Sequence, residues 1–331
     1  MNKVIILNKR PIGKPTLDDF KIINEEIPTT KNGEILLKTI YVSVDPYLRG
    51  RMNDSKSYVP PFELNKPIQS GIIAEVVESK QSQFKTGDFL SGNLDWKEYQ
   101  ISNGQGLHKV DENEVKLSAY LGVLGMTGLT AYLGLTEIGL PKEDETLVIS
   151  GAAGAVGTIV GQVGKLLGCK VIGITGSDEK VALLTSKFRF DYAINYKTIP
   201  NLTEAIKNAS PKGVDIYFDN VGGEISDAVL ASINKHARLP VCGAISLYNE
   251  TKNSLGPRLQ PIILTKSATM RGFIVGDFFE KFPAATKQLT IWLKENNITF
   301  SETIVEGFDN IPQAFIDLFE GKNKGKMIVK I

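Results

Sequence analysis

The sequence predicts an α/β protein with two domains, one rich in β-strands and the other built on a doubly wound parallel sheet. At 331 residues the chain is too long for one ordinary hydrophobic core. Up to about residue 120, short alternating apolar runs are separated by turn residues, as in β structure. Beyond that point, strand-like and helix-like segments alternate, which is typical of βαβ units.

The strand-rich part has clear strand and turn signals. "EILLKTIYVSV" (34–44) and "SGIIAEVVES" (70–79) alternate as strands do, and "KTGD" (85–88) is a typical turn. A loop is predicted where prolines cluster, at Pro60, Pro61 and Pro67. The chain ends in a short strand, "KMIVKI" (326–331), which we expect to return to this domain.

In the second part of the chain, the sequence predicts six strands and at least four helices. The strands are "TLVIS", "KVIGI", "YAIN", "DIYFD", "RLPVCG" and "TMRGFIV". The helices are "AVGTIVGQVGKLLG", "DEKVALLTSKF", "LTEAIKNA" and "EISDAVLASINKH". Helical spacers of this length join parallel neighbouring strands, so a parallel sheet is expected.

Composition excludes several classes of protein. The net charge is +1, with 38 basic and 37 acidic residues, so we expect no nucleic-acid or membrane partner. Two cysteines, Cys169 and Cys242, are far apart in the chain, and the first residues lack the pattern of a secretory signal. We therefore expect a cytoplasmic protein with free thiols.

A glycine turn follows the first strand of the second part. Gly151, Gly154 and Gly157 stand three apart between an apolar strand and a helix. The dinucleotide fingerprint fits as Ala152-x-Gly154-x-x-Gly157, where free backbone N–H groups and the helix dipole would bind a pyrophosphate. The alternative is a glycine-rich turn that serves packing only.

The next strand–helix junction indicates which dinucleotide. NAD sites place an acidic residue about 20 residues after the glycines, whereas this chain has Gly176 and Ser177 there. The small residues leave room for a 2′-phosphate, and Lys180 can neutralise it, which favours NADPH. An ordinary helix start, with Ser177 as N-cap and Asp178 and Glu179 in the first turn, is the alternative, and the two are compatible.

Several motifs together resemble one enzyme family. The chain is similar, over essentially its whole length, to zinc-independent medium-chain dehydrogenases/reductases of the branch with prostaglandin reductases, leukotriene dehydrogenases and bacterial curcumin or alkenal reductases. The matching stretches are "VSVDPYLRGRM" (42–52), "GMTGLTAYLGL" (125–135), "GAAGAVG" (151–157), "GSDEK" (176–180), "INYK" (194–197) and "DNVGG" (219–223). The resemblance implies a GroES-like catalytic domain (1–121 and 300–331), a Rossmann NADP-binding domain (122–299), an active site in the cleft between them, and a homodimer joined through the nucleotide-binding domains.

The resemblance also implies cofactor contacts, position by position. Lys180 and Tyr196 would hold the adenosine phosphate, Asn220 the ribose, and Asn323 would close over the nicotinamide. The pyrophosphate residues would be Gly154, Ala155, Val156 and Gly157. The nicotinamide-lining residues would be Cys242, Gly243, Ala244, Ile245, Ser246, Leu247, Tyr248, Phe273, Ile274 and Val275. One departure is Arg189, which stands where the family has a glycine, in a loop that is one residue longer.

We expect no metal site, because the first domain has no cysteine and one histidine, His108. The expected reaction is NADPH-dependent reduction of the carbon–carbon double bond of α,β-unsaturated aldehydes and ketones. Tyr248, in a loop after a parallel strand, is the expected donor to the enolate oxygen. It could instead only pack on the cofactor, with a ribose hydroxyl or water supplying the proton. A quinone reductase and a non-catalytic NADPH-binding protein are the alternative functions.

Four residues of the first part need separate interpretation. Tyr58, in "SYVPPF", and Tyr47, in "VDPYLRG", are candidates for substrate contact, although Tyr47 could serve packing alone. Arg49 and Arg51 are expected to be solvated or to form salt bridges rather than to bind an anion.

Overall fold

The computed structural model describes residues 1–331 and divides into two compact units. The first unit is Met1–Gly122, Glu302–Asn323 and Met327–Ile331. The second unit is Val123–Ser301 and Lys324–Lys326. None of the helices has the length and apolar composition needed to cross a membrane.

The chain forms fifteen strands and nine α-helices. The strands are β1 (Asn2–Leu7), β2 (Phe20–Glu25), β3 (Ile35–Ser43), β4 (Gln69–Ser79), β5 (Phe89–Asp95), β6 (Tyr99–Ser102), β7 (His108–Val110), β8 (Thr146–Ser150), β9 (Lys170–Thr175), β10 (Tyr192–Asn195), β11 (Val214–Phe218), β12 (Ile233–Val241), β13 (Thr269–Gly272), β14 (Glu302–Glu306) and β15 (Lys326–Lys330). The helices are α1 (Leu48–Arg51), α2 (Met126–Gly134), α3 (Ala155–Leu166), α4 (Asp178–Ser186), α5 (Leu202–Ala209), α6 (Gly223–Leu230), α7 (Leu259–Lys266), α8 (Phe282–Lys294) and α9 (Ile311–Leu318).

The first unit is strand-rich, as predicted. Its seven-stranded sheet has the order β14-β15-β3-β4-β5-β7, with β6 also paired to β3, and β1 and β2 form a separate antiparallel pair. Trp96 is fully buried in its core and donates a hydrogen bond from Nε1 to Ser70 Oγ at 2.8 Å. The C-terminal strand returns to this sheet, since Val329 pairs antiparallel with Val42, which confirms the prediction.

The second unit contains the predicted parallel sheet. Its six strands have the order β10-β9-β8-β11-β12-β13, and every pair is parallel. Chain order reverses between β8 and β11, which makes this point the topological switch where doubly wound sheets bind ligands. Val148, Ile172 and Ile174 are fully buried, because strands covered on both faces consist of continuous apolar residues.

Two element boundaries differ from the prediction. Helix α6 ends at Leu230, and "INKH" (233–236) belongs to β12 rather than to the end of a helix. Val214 of β11 pairs with Ile233, so the longer strand results from sheet pairing, and His236 has a left-handed φ of 64° at an irregularity in that pairing. The strand predicted over "TMRGFIV" (269–275) ends at Gly272.

Arg189 occupies a left-handed turn. Its φ is 58°, a conformation that glycine adopts without the steric cost of a side chain. The turn places Phe190 against α3, since a Cβ on Gly161 of that helix would lie 2.0 Å from the Phe190 ring. The arginine therefore keeps the geometry that a glycine would provide, at an energetic cost.

Candidate active site

The glycine turn after β8 joins the strand closely to α3. The Gly154 N–H donates to the Gly151 carbonyl at 3.0 Å, and Gly154 is the N-cap of the helix. A Cβ on Gly157 would lie 2.5 Å from the Gly151 oxygen, so only glycine fits there. Gly154, Ala155 and Val156 are partly exposed, and the first N–H groups of a helix have no partner within it. The turn can therefore bind an anion such as a pyrophosphate.

A segment of the C-terminal tail lies along this turn. The Gly325 N–H donates to the Ala153 carbonyl at 2.8 Å, and Gly325 forms a parallel bridge with Gly154. The Lys326 N–H donates to the Ser301 carbonyl at 2.9 Å. These bonds fix the backbone on both sides of Gly325 within the second unit.

The junction of β9 and α4 gathers basic and aromatic side chains. Ser177 caps α4 by accepting from the Lys180 N–H at 3.3 Å, as the sequence predicts. A Cβ on Gly176 would lie 3.2 Å from the Tyr196 ring and 3.3 Å from Lys197 Cε, so both side chains lie beside Gly176. Lys324 joins the same corner through an ion pair with Glu179.

The charges at this corner perturb Lys180. Burial lowers the pKa of Lys180, and the positive charges of Lys197 and Lys324 lower its pKa further. Glu179 acts in the opposite direction. An anion placed here would relieve the repulsion among three ammonium groups. Lys180 and Tyr196 were predicted from the sequence, whereas Lys197 and Lys324 were missed.

A buried polar network ties β11 to β8 at the switch point. Asp219, which is 5% exposed, accepts hydrogen bonds through Oδ1 from Ser150 Oγ and the Tyr217 hydroxyl, both at 2.9 Å. The Val221 and Gly222 N–H groups donate to the same oxygen at 3.0 and 2.9 Å, and Ser226 donates to the other carboxylate oxygen. Burial raises the pKa of Tyr217 well above its ordinary value. The network fixes the turn that carries Asn220. Asn220 was predicted from the sequence, whereas the network around Asp219 was not.

Asn220 bridges the two strand ends. Its N–H donates to Ser150 Oγ at 2.9 Å, and its Nδ2 donates to the Ser150 carbonyl at 2.8 Å. The side chain is thus held at the carboxyl edge of the sheet, beside Gly151. Its carbonyl Oδ1 is not used in these bonds and can accept from a hydroxyl.

The loop after β12 is anchored to the same turn. The Cys242 and Gly243 N–H groups donate to the Asp219 carbonyl at 2.8 and 3.1 Å, and the Ser246 N–H donates to Val221 at 3.1 Å. Burial raises the pKa of the Cys242 thiol to about 12, so the thiol stays protonated at neutral pH. The loop residues between Cys242 and Tyr248, namely Gly243, Ala244, Ile245, Ser246 and Leu247, are all at least partly exposed.

Tyr248 folds back onto its own loop. Its hydroxyl oxygen accepts from the Ala244 N–H at 3.3 Å and lies 3.0 Å from the position of a Cβ on Gly243. Burial raises the pKa of Tyr248, while the bond from Ala244 lowers it. Because the hydroxyl accepts in this bond, its own proton remains available for donation.

The segment after β13 is partly in the core. Phe273 is buried, with its ring 6.2 Å from Phe218 in an edge-to-face contact. Ile274 is 38% exposed, and Val275 begins a 3₁₀ helix, Val275–Lys281. The ring of Phe273 therefore belongs to the core, whereas Ile274 is exposed and Val275 is partly exposed.

In the first unit, Tyr47 and Tyr58 differ in exposure. Tyr47 packs on the hydrophobic core, whereas Tyr58 is 61% exposed. Burial raises the pKa of Tyr47, and the nearby Asp45 raises it further. Asn323 belongs to this unit as well.

Of the two arginines expected to be solvated or to form salt bridges, Arg49 is not solvated, because it is buried. Arg49 is 3% exposed and donates to the carbonyls of Pro11 and Gly13 at 3.2 and 2.9 Å. Its guanidinium satisfies loop carbonyls that would otherwise lie buried without donors. Arg51 donates to the Pro60 carbonyl at 3.0 Å and lies 4.0 Å above the Phe62 ring.

The structure contains no group of three or more His, Cys, Asp or Glu side chains placed to hold a metal ion.

Comparisons with known proteins agree with this architecture. Residues 3–110 match the family described as N-terminal domain of oxidoreductase, and residues 155–290 match the family described as Zinc-binding dehydrogenase. The chain belongs to the medium-chain dehydrogenase/reductase family, in the branch of the prostaglandin, curcumin and alkenal reductases.

Individual relatives match over nearly their whole length. YfmJ of Bacillus subtilis (strain 168) is 53% identical over 329 residues, which cover 99% of this chain and 97% of the relative. NADPH-dependent curcumin reductase of Escherichia coli (strain K12) is 41% identical over 335 residues, which cover 100% of this chain and 97% of the relative. The crystal structure of CurA from Vibrio vulnificus in complex with NADPH is 41% identical and superposes with a TM-score of 0.95, covering 99% of this chain and 98% of that chain.

Proposed function

We propose that the protein is an NADPH-dependent reductase of the carbon–carbon double bond of α,β-unsaturated aldehydes and ketones. The observation that carries the proposal is the shared position of two features at the carboxyl edge of one parallel sheet. One feature is the cluster of Lys180, Lys197 and Lys324 beside the end of β9, which we call the lysine corner. The other is the loop after β12 that carries Tyr248. Relatives named curcumin reductase, prostaglandin reductase and 2-alkenal reductase support the same chemistry.

The residues present fit an NADPH molecule. Gly154 and the first turn of α3 would hold the pyrophosphate, because Gly154 is the N-cap of the helix and the first N–H groups of a helix have no partner within it. Lys180 and Tyr196 would hold the 2′-phosphate, and Asn220 Oδ1 would accept from a ribose hydroxyl. The backbone of Cys242–Tyr248 and of Phe273–Val275 would line the nicotinamide, and the role of Asn323 stays a prediction from the resemblance. When bound, the cofactor supplies a hydride to the β-carbon of the substrate.

Tyr248 supplies the group that the developing enolate needs. Negative charge on the substrate oxygen requires a hydrogen-bond donor, and the α-carbon then requires a proton. The Tyr248 hydroxyl is protonated at neutral pH and already accepts from Ala244, so its hydrogen is available to the substrate oxygen. In the first unit we propose Tyr58 as a substrate-contacting side chain because it is exposed. Tyr47, which packs on the core, would support it.

The proposal is tested by following NADPH absorbance with a simple alkenal, with a conjugated ketone and with a quinone. Faster oxidation with the alkenal or the ketone is expected. Turnover with quinone alone would instead indicate a quinone reductase. Binding of NADPH without turnover of any of the three substrates would indicate a binding protein.

We further propose a cytoplasmic homodimer joined through the open edge of β13. This strand is the last of its sheet, and Leu264 and Phe279 near it are 79% and 73% exposed. An open strand edge beside apolar side chains favours pairing with a second copy. Leu264→Asp with Phe279→Asp should give a monomer in sedimentation, whereas the exposed-loop control Leu255→Asp should not. A wild-type monomer would refute the proposal.

A further inference from the structure

Lys324 lies at the lysine corner although it is 144 positions along the chain from Lys180. The tail brings it there, since the next residue, Gly325, is hydrogen-bonded to the Ala153 carbonyl at 2.8 Å. A side chain at Gly325 is excluded, because a Cβ would lie 1.9 Å from the Ser301 oxygen. The backbone that carries Lys324 is therefore fixed, and its ammonium group reaches Glu179 in the first turn of α4.

The corner has an excess of positive charge. Lys180, Lys197 and Lys324 contribute three ammonium groups, and the positive charges of the last two act on Lys180. Glu179 is the acidic partner of Lys324, while Asp178 accepts from Asn195 Nδ2 at 2.7 Å. Like charges held together are unfavourable in solution unless an anion lies among them. A phosphate anion placed among these ammonium groups would relieve their repulsion.

We propose that Lys324 is a further specificity-determining residue, which binds the cofactor's 2′-phosphate together with Lys180 and pairs with Glu179 only in the absence of that phosphate. The inference rests on the proposed use of NADPH. The Lys324–Glu179 pair is exposed, with 42% and 69% of the two side chains accessible. Exposed pairs of this kind contribute little to stability, so Lys324 can turn from Glu179 to a phosphate at low cost. A charge-assisted bond to a dianion is the stronger of the two.

The competing explanation is that Lys324 only ties the tail to α4. The two explanations make opposite predictions for Glu179. If Lys324 binds phosphate, Glu179→Gln removes a negative charge beside the anion and should leave binding equal or up to about threefold tighter. If Lys324 only links the tail to α4, Glu179→Gln and Lys324→Ala break the same ion pair. The two substitutions should then have the same effect on binding.

The experiment measures binding of adenosine 2′,5′-bisphosphate and adenosine 5′-monophosphate by calorimetry, so it requires no turnover. Lys324→Ala should weaken bisphosphate binding about three- to tenfold and leave monophosphate binding unchanged. Lys322→Ala is the matched control, because Lys322 pairs with Asp317 and Glu320 away from the corner. It should change neither affinity.

Two outcomes would separate this inference from the proposed function. A wild-type protein that binds both nucleotides equally would refute the preference for NADPH itself. A wild-type preference that Lys324→Ala and Lys324→Gln both retain would refute only the role of Lys324. Equal thermal stability of the variants and the wild type excludes misfolding as the cause of a loss.

Discussion

The hydroxyl of Tyr248 accepts a hydrogen bond from the Ala244 N–H, 3.3 Å away, within the loop that follows β12. This bond orients the phenol without using its proton. It also favours the ionised form slightly, against the burial that raises the pKa of Tyr248. The phenol is therefore held in place with its own proton not used in this bond.

Tyr248→Phe should lower the turnover number for alkenals about tenfold or more, with a smaller change in KM. A donor to a developing oxyanion acts more strongly in the transition state than in the ground state. The ring is kept, so the NADPH dissociation constant, measured by fluorescence quenching, should stay unchanged. Tyr192→Phe, on an exposed residue, is the control. Unchanged turnover would leave Tyr248 a packing residue and favour the ribose hydroxyl or water as the donor.

Lys180→Ala should weaken NADPH binding by about 1.5–3 kcal/mol, the usual scale for a hydrogen bond to a charged group. NADH lacks the 2′-phosphate, so its binding should barely change. Lys207→Ala, on the exposed side of α5, serves as the control. Fluorescence titrations of both cofactors make the comparison. Equal losses for NADPH and NADH would mean that Lys180 only supports the helix.

As the pH rises, the affinity for NADPH should begin to fall at a lower pH than it would if Lys180 had the pKa of an ordinary lysine. The pKa of Lys180 is lowered by burial and by neighbouring lysines, so Lys180 loses its proton early as the pH rises. A bound phosphate stabilises the ammonium form, hence binding should take up protons on the alkaline side. Calorimetry above pH 7 in buffers of different ionisation enthalpy measures this uptake. Proton uptake of the same size with NADH would argue against the 2′-phosphate as its cause.

Local patterns were enough to predict much of the second unit. "TLVIS" and "LTEAIKNA" coincide with β8 and α5, and the parallel-sheet rule placed the glycine turn and Tyr248 at one edge. Lys324 could not be found this way, since its partner Glu179 lies 145 residues away in sequence. The wrong helix end at "INKH" has a similar cause, because β12 begins where Val214 pairs with it.

Gly157→Ala should both destabilise the protein and weaken NADPH binding. The new Cβ would lie 2.5 Å from the Gly151 oxygen and 2.7 Å from the Ala152 backbone, so the turn must move. Overpacking of this kind typically costs about 1–3 kcal/mol. Urea unfolding and NADPH titration measure the two effects. Gly276→Ala, where a Cβ meets nothing within 4 Å, should change neither. A stable Gly157→Ala variant with normal affinity would contradict the close contact of strand, turn and helix.

Arg189→Gly should stabilise the protein by about 0.5–1 kcal/mol. A residue with a side chain pays roughly 1–2 kcal/mol at a left-handed position such as φ 58°, whereas glycine does not. Part of this gain is offset by the larger conformational freedom of glycine in the unfolded chain, about 0.5–1 kcal/mol. The buried neighbours Phe188 and Phe190 fix the turn in either case. The control is Ser186→Gly, in the last turn of α4, which should lower stability instead. Urea denaturation of the two variants and the wild type measures the change in the free energy of unfolding. A loss at both positions would mean that the Arg189 side chain contributes contacts worth more than the strain it imposes.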